Sequence, residues 1–169
     1  LKTNYQITSK INLFGDLQYR RISYKADGAQ PQYLEDTFQF LNPKAGITYD
    51  FNSKNAFYVS YAKANREPNR TDYENGNPKP EKMDDYELGW RHVAEKLKWN
   101  ANVYYMAYKN QLILTGNLDD VGNPIRSNSE KSYRLGLEVD ATVTLTKRFT
   151  VSPNLSLSEN KNIDLIFFI

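Results

Sequence analysis

Arg66, Asn69, Arg70 and Tyr73 fall close together in a stretch broken by Pro68, Gly76, Pro78 and Pro80, and Arg126 and Asn128 follow Gly122 and Pro124. Guanidinium groups beside a phenol and carboxamides can grip an anionic, hydroxamate-like or catecholate-like ligand by bidentate hydrogen bonds and stacking. The same residues can also tie loops to one another or meet phosphates at a membrane surface, and residue type alone leaves these readings open. Arg134, Glu138 and Asp140 share one face of an alternating segment, where charges must pair in a narrow space or face water in a wide one. Templates for covalent chemistry are poorly supplied. The chain has no cysteine and a single histidine, His92, so a Cys/His metal set is excluded and a girdle position is the natural reading of that imidazole. Asp85 and Glu87 line one side of a strand, as a solvated wall would, and no glycine-rich phosphate cradle is present. The reading is of a protein that is not an enzyme and carries no cofactor or metal.

The elements that must position these residues have period two. From Tyr133 to Leu145 every odd position is apolar or aromatic and every even one is polar, charged or glycine. Leu97 to Ala107 and Phe149 to Leu157 repeat the pattern. The polar faces hold too many Asn, Ser, Thr, Asp and Glu for a dry core, while the apolar faces are continuous. Oil outside and water inside is the requirement of a transmembrane β-barrel. Strands are predicted at Ile11–Tyr24, Lys44–Phe51, Ala56–Asn65, Asp85–Val93, Leu97–Leu114, Ser132–Thr146 and Phe149–Ser158, with a partial one at Lys2–Gln6. The fold class is all-β, an antiparallel transmembrane barrel meander of about seven or eight strands. Connections at 52–55, 94–96 and 146–148 are tight, whereas 26–39, 67–82 and 115–131 are long and polar, so the long ones are assigned to the cell exterior. Residues 1–161 form the barrel unit, and 162–169 an apolar tail with no clean strand face.

Composition agrees. Thirteen Tyr, eight Phe and two Trp supply rings for membrane interfaces. A mean hydropathy of −0.72 without a long apolar run excludes a transmembrane helix and leaves a barrel open. With 22 basic and 20 acidic residues and no basic stripe, nucleic acid is not the expected partner. No charged-then-apolar leader opens the chain, so it reads as a mature product or a fragment.

Several phrases go beyond pattern. Asn42-Pro43-Lys44-Ala45-Gly46-Ile47-Thr48-Tyr49, Tyr58-Val59-Ser60-Tyr61-Ala62 with Arg66-Glu67-Pro68, Lys79-Pro80-Glu81 with Tyr86-Glu87-Leu88-Gly89, Tyr104-Tyr105-Met106-Ala107-Tyr108-Lys109-Asn110-Gln111-Leu112, and Ser132-Tyr133-Arg134-Leu135-Gly136-Leu137-Glu138 follow in order. Together they resemble the C-terminal part of the barrel of TonB-dependent outer-membrane receptors, siderophore receptors above all. The resemblance implies a 22-stranded barrel around an N-terminal plug, in the bacterial outer membrane and in contact with its lipid. It also implies import of a scarce cargo, a ferric siderophore or else haem or cobalamin, energised by the TonB complex. This chain carries no plug or TonB-box segment, so it reads as a piece of such a barrel, reaching TonB only through a plug domain absent from it. A self-contained small barrel with a structural or adhesive role and a soluble antiparallel binding module are the rival readings.

Overall fold

The computed structural model describes residues 1–27 and 33–163. Its strands are β1 (Lys2–Gln6), β2 (Ile11–Asp27), β3 (Tyr33–Asn52), β4 (Asn55–Arg66), β5 (Glu81–Val93), β6 (Leu97–Leu118), β7 (Pro124–Thr146), β8 (Phe149–Val151) and β9 (Asn154–Asn162). One five-residue helix, α1 (Arg70–Glu74), lies between β4 and β5. Each strand pairs antiparallel with the next, giving a single meander from β1 to β8, and β9 also pairs with β7. β8 and β9 lie end to end along the same edge of β7. Pro153, which has no N–H to give, separates them while its carbonyl still accepts from Ala141 N at 3.0 Å. The predicted strand Phe149–Ser158 is therefore one edge with a break. Among the described residues β1 and β9 share no ladder, so the sheet is open, as a part of a barrel wall is.

Two of the three long connections differ from expectation. Residues 26–27 and 33–39 lie in paired strands, and so do 115–118 and 124–131, although these stretches are expected as loops, while the expected strands ending at Tyr24 and Leu114 run on through them. The physical reason is that turn-forming residues, Gly28 and Pro31 in one stretch and Gly116, Gly122 and Pro124 in the other, stand among short polar runs and read as breaks. The backbone N–H and C=O groups on either side of the break still require partners and find them across the hairpin. β7 has 23 residues, about 75 Å at roughly 3.3 Å per residue, so even tilted by about 45° its end stands well beyond a hydrocarbon layer of about 30 Å. The Ala26–Gln39 connection also includes residues 28–32, outside the described residues. Of the tail, Asn162 ends β9 and Ile163 N donates to Lys131 O at 2.9 Å; residues 164–169 lie outside the described residues.

The pairing aligns side chains into rows. Leu13, Ile47, Val59, Leu88, Val103, Leu137 and Leu157 stand opposite one another across seven strands and form the middle of the outer face. On one side of it, Phe57 stacks on Trp90 at 5.4 Å and Trp90 meets Trp99 edge-on at 4.3 Å. On the other, Tyr61 meets Tyr86 at 5.2 Å and Tyr105 meets Tyr133 at 5.8 Å. Two aromatic belts bounding an apolar band are what membrane interfaces select. His92 belongs to the first belt. The indole N–H of Trp90 donates to Asn55 Oδ1 at 3.2 Å, and the His92 Nδ1 is 2.8 Å from the same oxygen. That oxygen only accepts, so the Nδ1 carries the proton.

The inner face is polar, with Tyr58 donating to Asn102 Oδ1 at 3.2 Å, Ser60 donating to Glu87 at 3.2 Å, and the Arg134 guanidinium 5.4 Å from the Tyr108 ring centre. Three rings on this face lie over directly paired glycines: Phe14 on Gly46, Tyr58 on Gly89 and Tyr104 on Gly136. A Cβ at Gly89 would come within 2.0 Å of the Tyr58 ring. Gly89→Ala must turn that ring out of its bed, an overpacking cost of about 1–3 kcal/mol. We expect the variant to unfold at lower temperature in detergent, as read from heat-dependent gel mobility, and Tyr58→Ala in the same background to restore part of the loss.

Candidate functional site

All three long connections, 28–32, 67–80 and 119–123, join strands at the same end of the sheet, opposite the tight turns at 7–10, 53–54 and 94–96. The 67–80 connection is the elaborate one. Pro68, Pro78 and Pro80 bar it from either ladder. Its one helix starts at Asn69, whose Oδ1 accepts from Asp72 N at 3.0 Å while Asp72 Oδ2 accepts from Asn69 N at 2.8 Å. This reciprocal cap is what lets a five-residue helix exist.

The structure brings the six predicted ligand residues into one strapped assembly and gives each a partner. Arg66 Nε is 2.6 Å from Glu81 Oε2, and Arg70 Nε is 2.8 Å from Glu74 Oε1. Tyr73 stacks on Tyr24 at 5.7 Å and donates its hydroxyl to Asp36 at 2.6 Å. Burial and that carboxylate both push the phenol well above its ordinary range, so it remains a donor. Asn128 holds the backbone of Lys79 from both sides, accepting its N–H at 2.7 Å and donating to its carbonyl at 3.0 Å. Arg126 reaches Asp72, Nε to Oδ1 at 3.0 Å, with the Asp72 side chain only 2% exposed. The approach is off the line of an N–H hydrogen bond, so Oδ1 is held by charge. Beside it is a cavity of about 100 Å³ between Asp72, Asn75, Pro78, Leu112, Arg126 and Asn128.

Sequence reading missed the acidic and basic partners of this assembly. Arg20 grips Glu67 with both oxygens within 3.1 Å, pinning the start of the strap to β2. Glu81 holds Arg66 with one oxygen and accepts Leu112 N with the other. Only Asp72 carried a local signal, the Asn-x-x-Asp spacing of a helix cap; Asp36, Glu67 and Glu81 acquire roles through strand pairing. At the tip of the β6–β7 hairpin, Asp119 accepts N–H groups from Asn123 and Val121, which hold its carboxyl below the usual carboxylate range. Gly122, with φ of 86°, makes that turn.

The three predicted inward residues lie on the polar face of β7. Arg134 covers Tyr108, Glu138 is opposite Asn102, and Asp140 accepts from Asn100 at 3.4 Å. Among the described residues no cluster of His, Cys, Asp and Glu is arranged to hold a metal ion.

Comparison with known proteins places this wall. The family described as "TonB dependent receptor-like, beta-barrel" matches residues 1–165. The ferric-pyoverdine 358 receptor of Pseudomonas putida is 26% identical over 96% of the chain, which spans 22% of that receptor's length. The alcaligin outer membrane receptor FauA of Bordetella pertussis superposes with a TM-score of 0.70 at 19% identity, over 94% of this chain and 29% of that one. The siderophore receptor PirA of Pseudomonas aeruginosa gives 0.71 at 17%, over 93% and 30%. The open sheet, the belted outer face and the family match agree: the chain belongs to the TonB-dependent receptors and is part of the β-barrel with which they stand in the bacterial outer membrane.

Proposed function

We propose that this chain is part of the wall of a receptor that captures a ferric siderophore outside the cell and imports it with energy from the TonB complex, delivered through a plug domain. The observation that carries the reading is the family match over residues 1–165, joined to a pyoverdine receptor as a relative. Capture falls to the end of the sheet where the long connections meet. Arg66 and Arg70 keep 57% and 58% of their side chains exposed while paired, so they can present N–H groups to an anionic or catecholate-like ligand. Asn69, Tyr73, Arg126 and Asn128 hold the strap that carries Arg70 and that begins directly after Arg66, the last residue of β4. Arg134, Glu138 and Asp140 face the lumen and the plug. The work is recognition and gated passage, with no bond made or broken.

The test is uptake by iron-starved cells lacking the intact receptor. Deletion is expected to abolish accumulation of radioactive iron from one of ferric pyoverdine, a ferric hydroxamate or a ferric catecholate, and complementation to restore it. In the complemented strain, Arg66→Ala is expected to weaken capture about tenfold, the scale of one charge-assisted hydrogen bond. Loss of haem or cobalamin uptake, with all three iron complexes still imported, would make one of those the cargo.

A further inference from the structure

The Glu81 carboxylate, with its side chain 12% exposed, lies where three strands meet. Arg66 faces it in the last pair of the β4–β5 ladder, and Oε2 is the only carboxylate oxygen within ion-pair distance of that guanidinium among the described residues. The other oxygen, Oε1, accepts the N–H of Leu112 on β6. Leu112 depends on it because of Asn110. The β5–β6 ladder ends at Lys82–Lys109, and Asn110, with φ of 56°, is the one non-glycine residue in the left-handed region among the described residues. There β6 parts from β5 and runs on with β7, so the Leu112 N–H meets a side chain in place of a ladder carbonyl. Asparagine enters this region at lower cost than most L residues, and Asn128 fixes the bend by donating to the Asn110 carbonyl at 2.7 Å.

The two ties of Glu81 depend on each other. A carboxylate this enclosed needs its cation; without Arg66 it turns toward water and drops Leu112 N. If Leu112 N leaves, the carboxylate is free to swivel and no longer fixes the guanidinium. Arg70 has no such link, because its partner Glu74 stands on the same short helix and the pair touches no other strand. What Glu81 aims Arg66 at is a cavity of about 160 Å³. Both residues line it, together with Ala64, Met83 and Tyr108, which pair in one row on the inner face. A ligand group that reaches the guanidinium there also finds a methyl, a thioether and a ring to lie against.

The geometry points to Glu81 as a positioning residue for capture: it holds the Arg66 guanidinium at this cavity, and through Leu112 N it makes that placement conditional on the bend of the β6–β7 hairpin at Asn110. Glu81 acts through Arg66 and contributes no contact of its own, since both of its oxygens are occupied. The inference rests on the reading that Arg66 touches the ligand. A merely structural Glu81 would brace the sheet with or without Arg66, whereas a positioning one matters to capture only while Arg66 is present.

The experiment uses the intact receptor and two readouts. The first needs no cargo: in detergent, Arg66→Ala is expected to speed hydrogen exchange at the Leu112 amide about tenfold, the scale of one charge-assisted hydrogen bond, while the Val103 amide is unchanged. The second is capture of radioactive ferric pyoverdine, a ferric hydroxamate and a ferric catecholate by energy-depleted cells. Glu81→Gln keeps an oxygen for Leu112 N and removes the charge that holds Arg66. It is expected to weaken capture about tenfold with the Leu112 amide still protected, and to cost nothing further in an Arg66→Ala background. Heat-dependent gel mobility identifies variants that have folded. Additive losses from the two changes would leave the siderophore reading standing and reduce Glu81 to a brace. Unchanged Leu112 exchange in folded Arg66→Ala would overturn the link between capture residue and hairpin. If the unaltered receptor captures none of the three complexes, the siderophore reading fails, and the Leu112 amide decides that link by the same criterion.

Discussion

Replacing Arg126 by alanine in the intact receptor is expected to release the 67–80 strap from the sheet. The guanidinium is the only cation within ion-pair distance of Asp72 among the described residues, and the carboxylate it serves is 2% exposed. Removing one partner of a buried pair leaves an uncompensated charge, at a cost of about 3–5 kcal/mol. Each 1.4 kcal/mol is tenfold, so the population of the opened strap should rise by about two to three and a half orders of magnitude. Hydrogen exchange reads this directly: the amides of Asp72 and Tyr73, both in α1, should exchange faster by that factor, while those of β5 and β6 at the level of Leu88 and Val103 stay protected. Arg126→Ala paired with Asp72→Asn should recover much of the loss, because the stranded charge is then gone. Unchanged exchange in the single variant would mean that Asn128 and Tyr73 hold the strap without the ion pair. If Arg70 presents ligand contacts from this strap, capture should weaken in Arg126→Ala although Arg126 itself faces Asp72.

The second large effect concerns the outer face. Leu88 stands between Val59 and Val103 in the middle apolar row and is 56% exposed in the open sheet. Leu88→Arg puts a charge against hydrocarbon, which costs about 2–4 kcal/mol at mid-membrane depth. The amount of folded receptor in the outer membrane should fall severalfold, measured as the heat-modifiable fraction. Asn102→Arg supplies the contrast: Asn102 is adjacent in sequence to Val103 but faces the lumen beside Gly89 and Glu138. An arginine there meets water and carboxylates, and assembly should be nearly normal. Equal damage from both would refute the assignment of faces. One residue of displacement along a strand exchanges the two environments, which is why the alternation is informative.

That alternation is also why so much was legible beforehand. Along Tyr133–Leu145 and Leu97–Ala107 each side chain declares its face through its own chemistry, so strand positions, the wet and oily sides and the membrane setting follow from one chain read by itself. The family phrases from Asn42 to Glu138 named the barrel that the comparison then found. Where turn-forming and polar residues interrupt the pattern, as at 33–39 and at 115–118 with 124–131, the declaration is lost and only backbone pairing reveals the strands. Partnership is a different kind of information. That Glu81 meets Leu112, that Arg126 meets Asp72, and that Asn128 meets Lys79 are properties of register between strands far apart in sequence. Period two fixes which way a residue points; only the tertiary pairing fixes what it points beside, because register is set jointly by two strands and is written in neither alone.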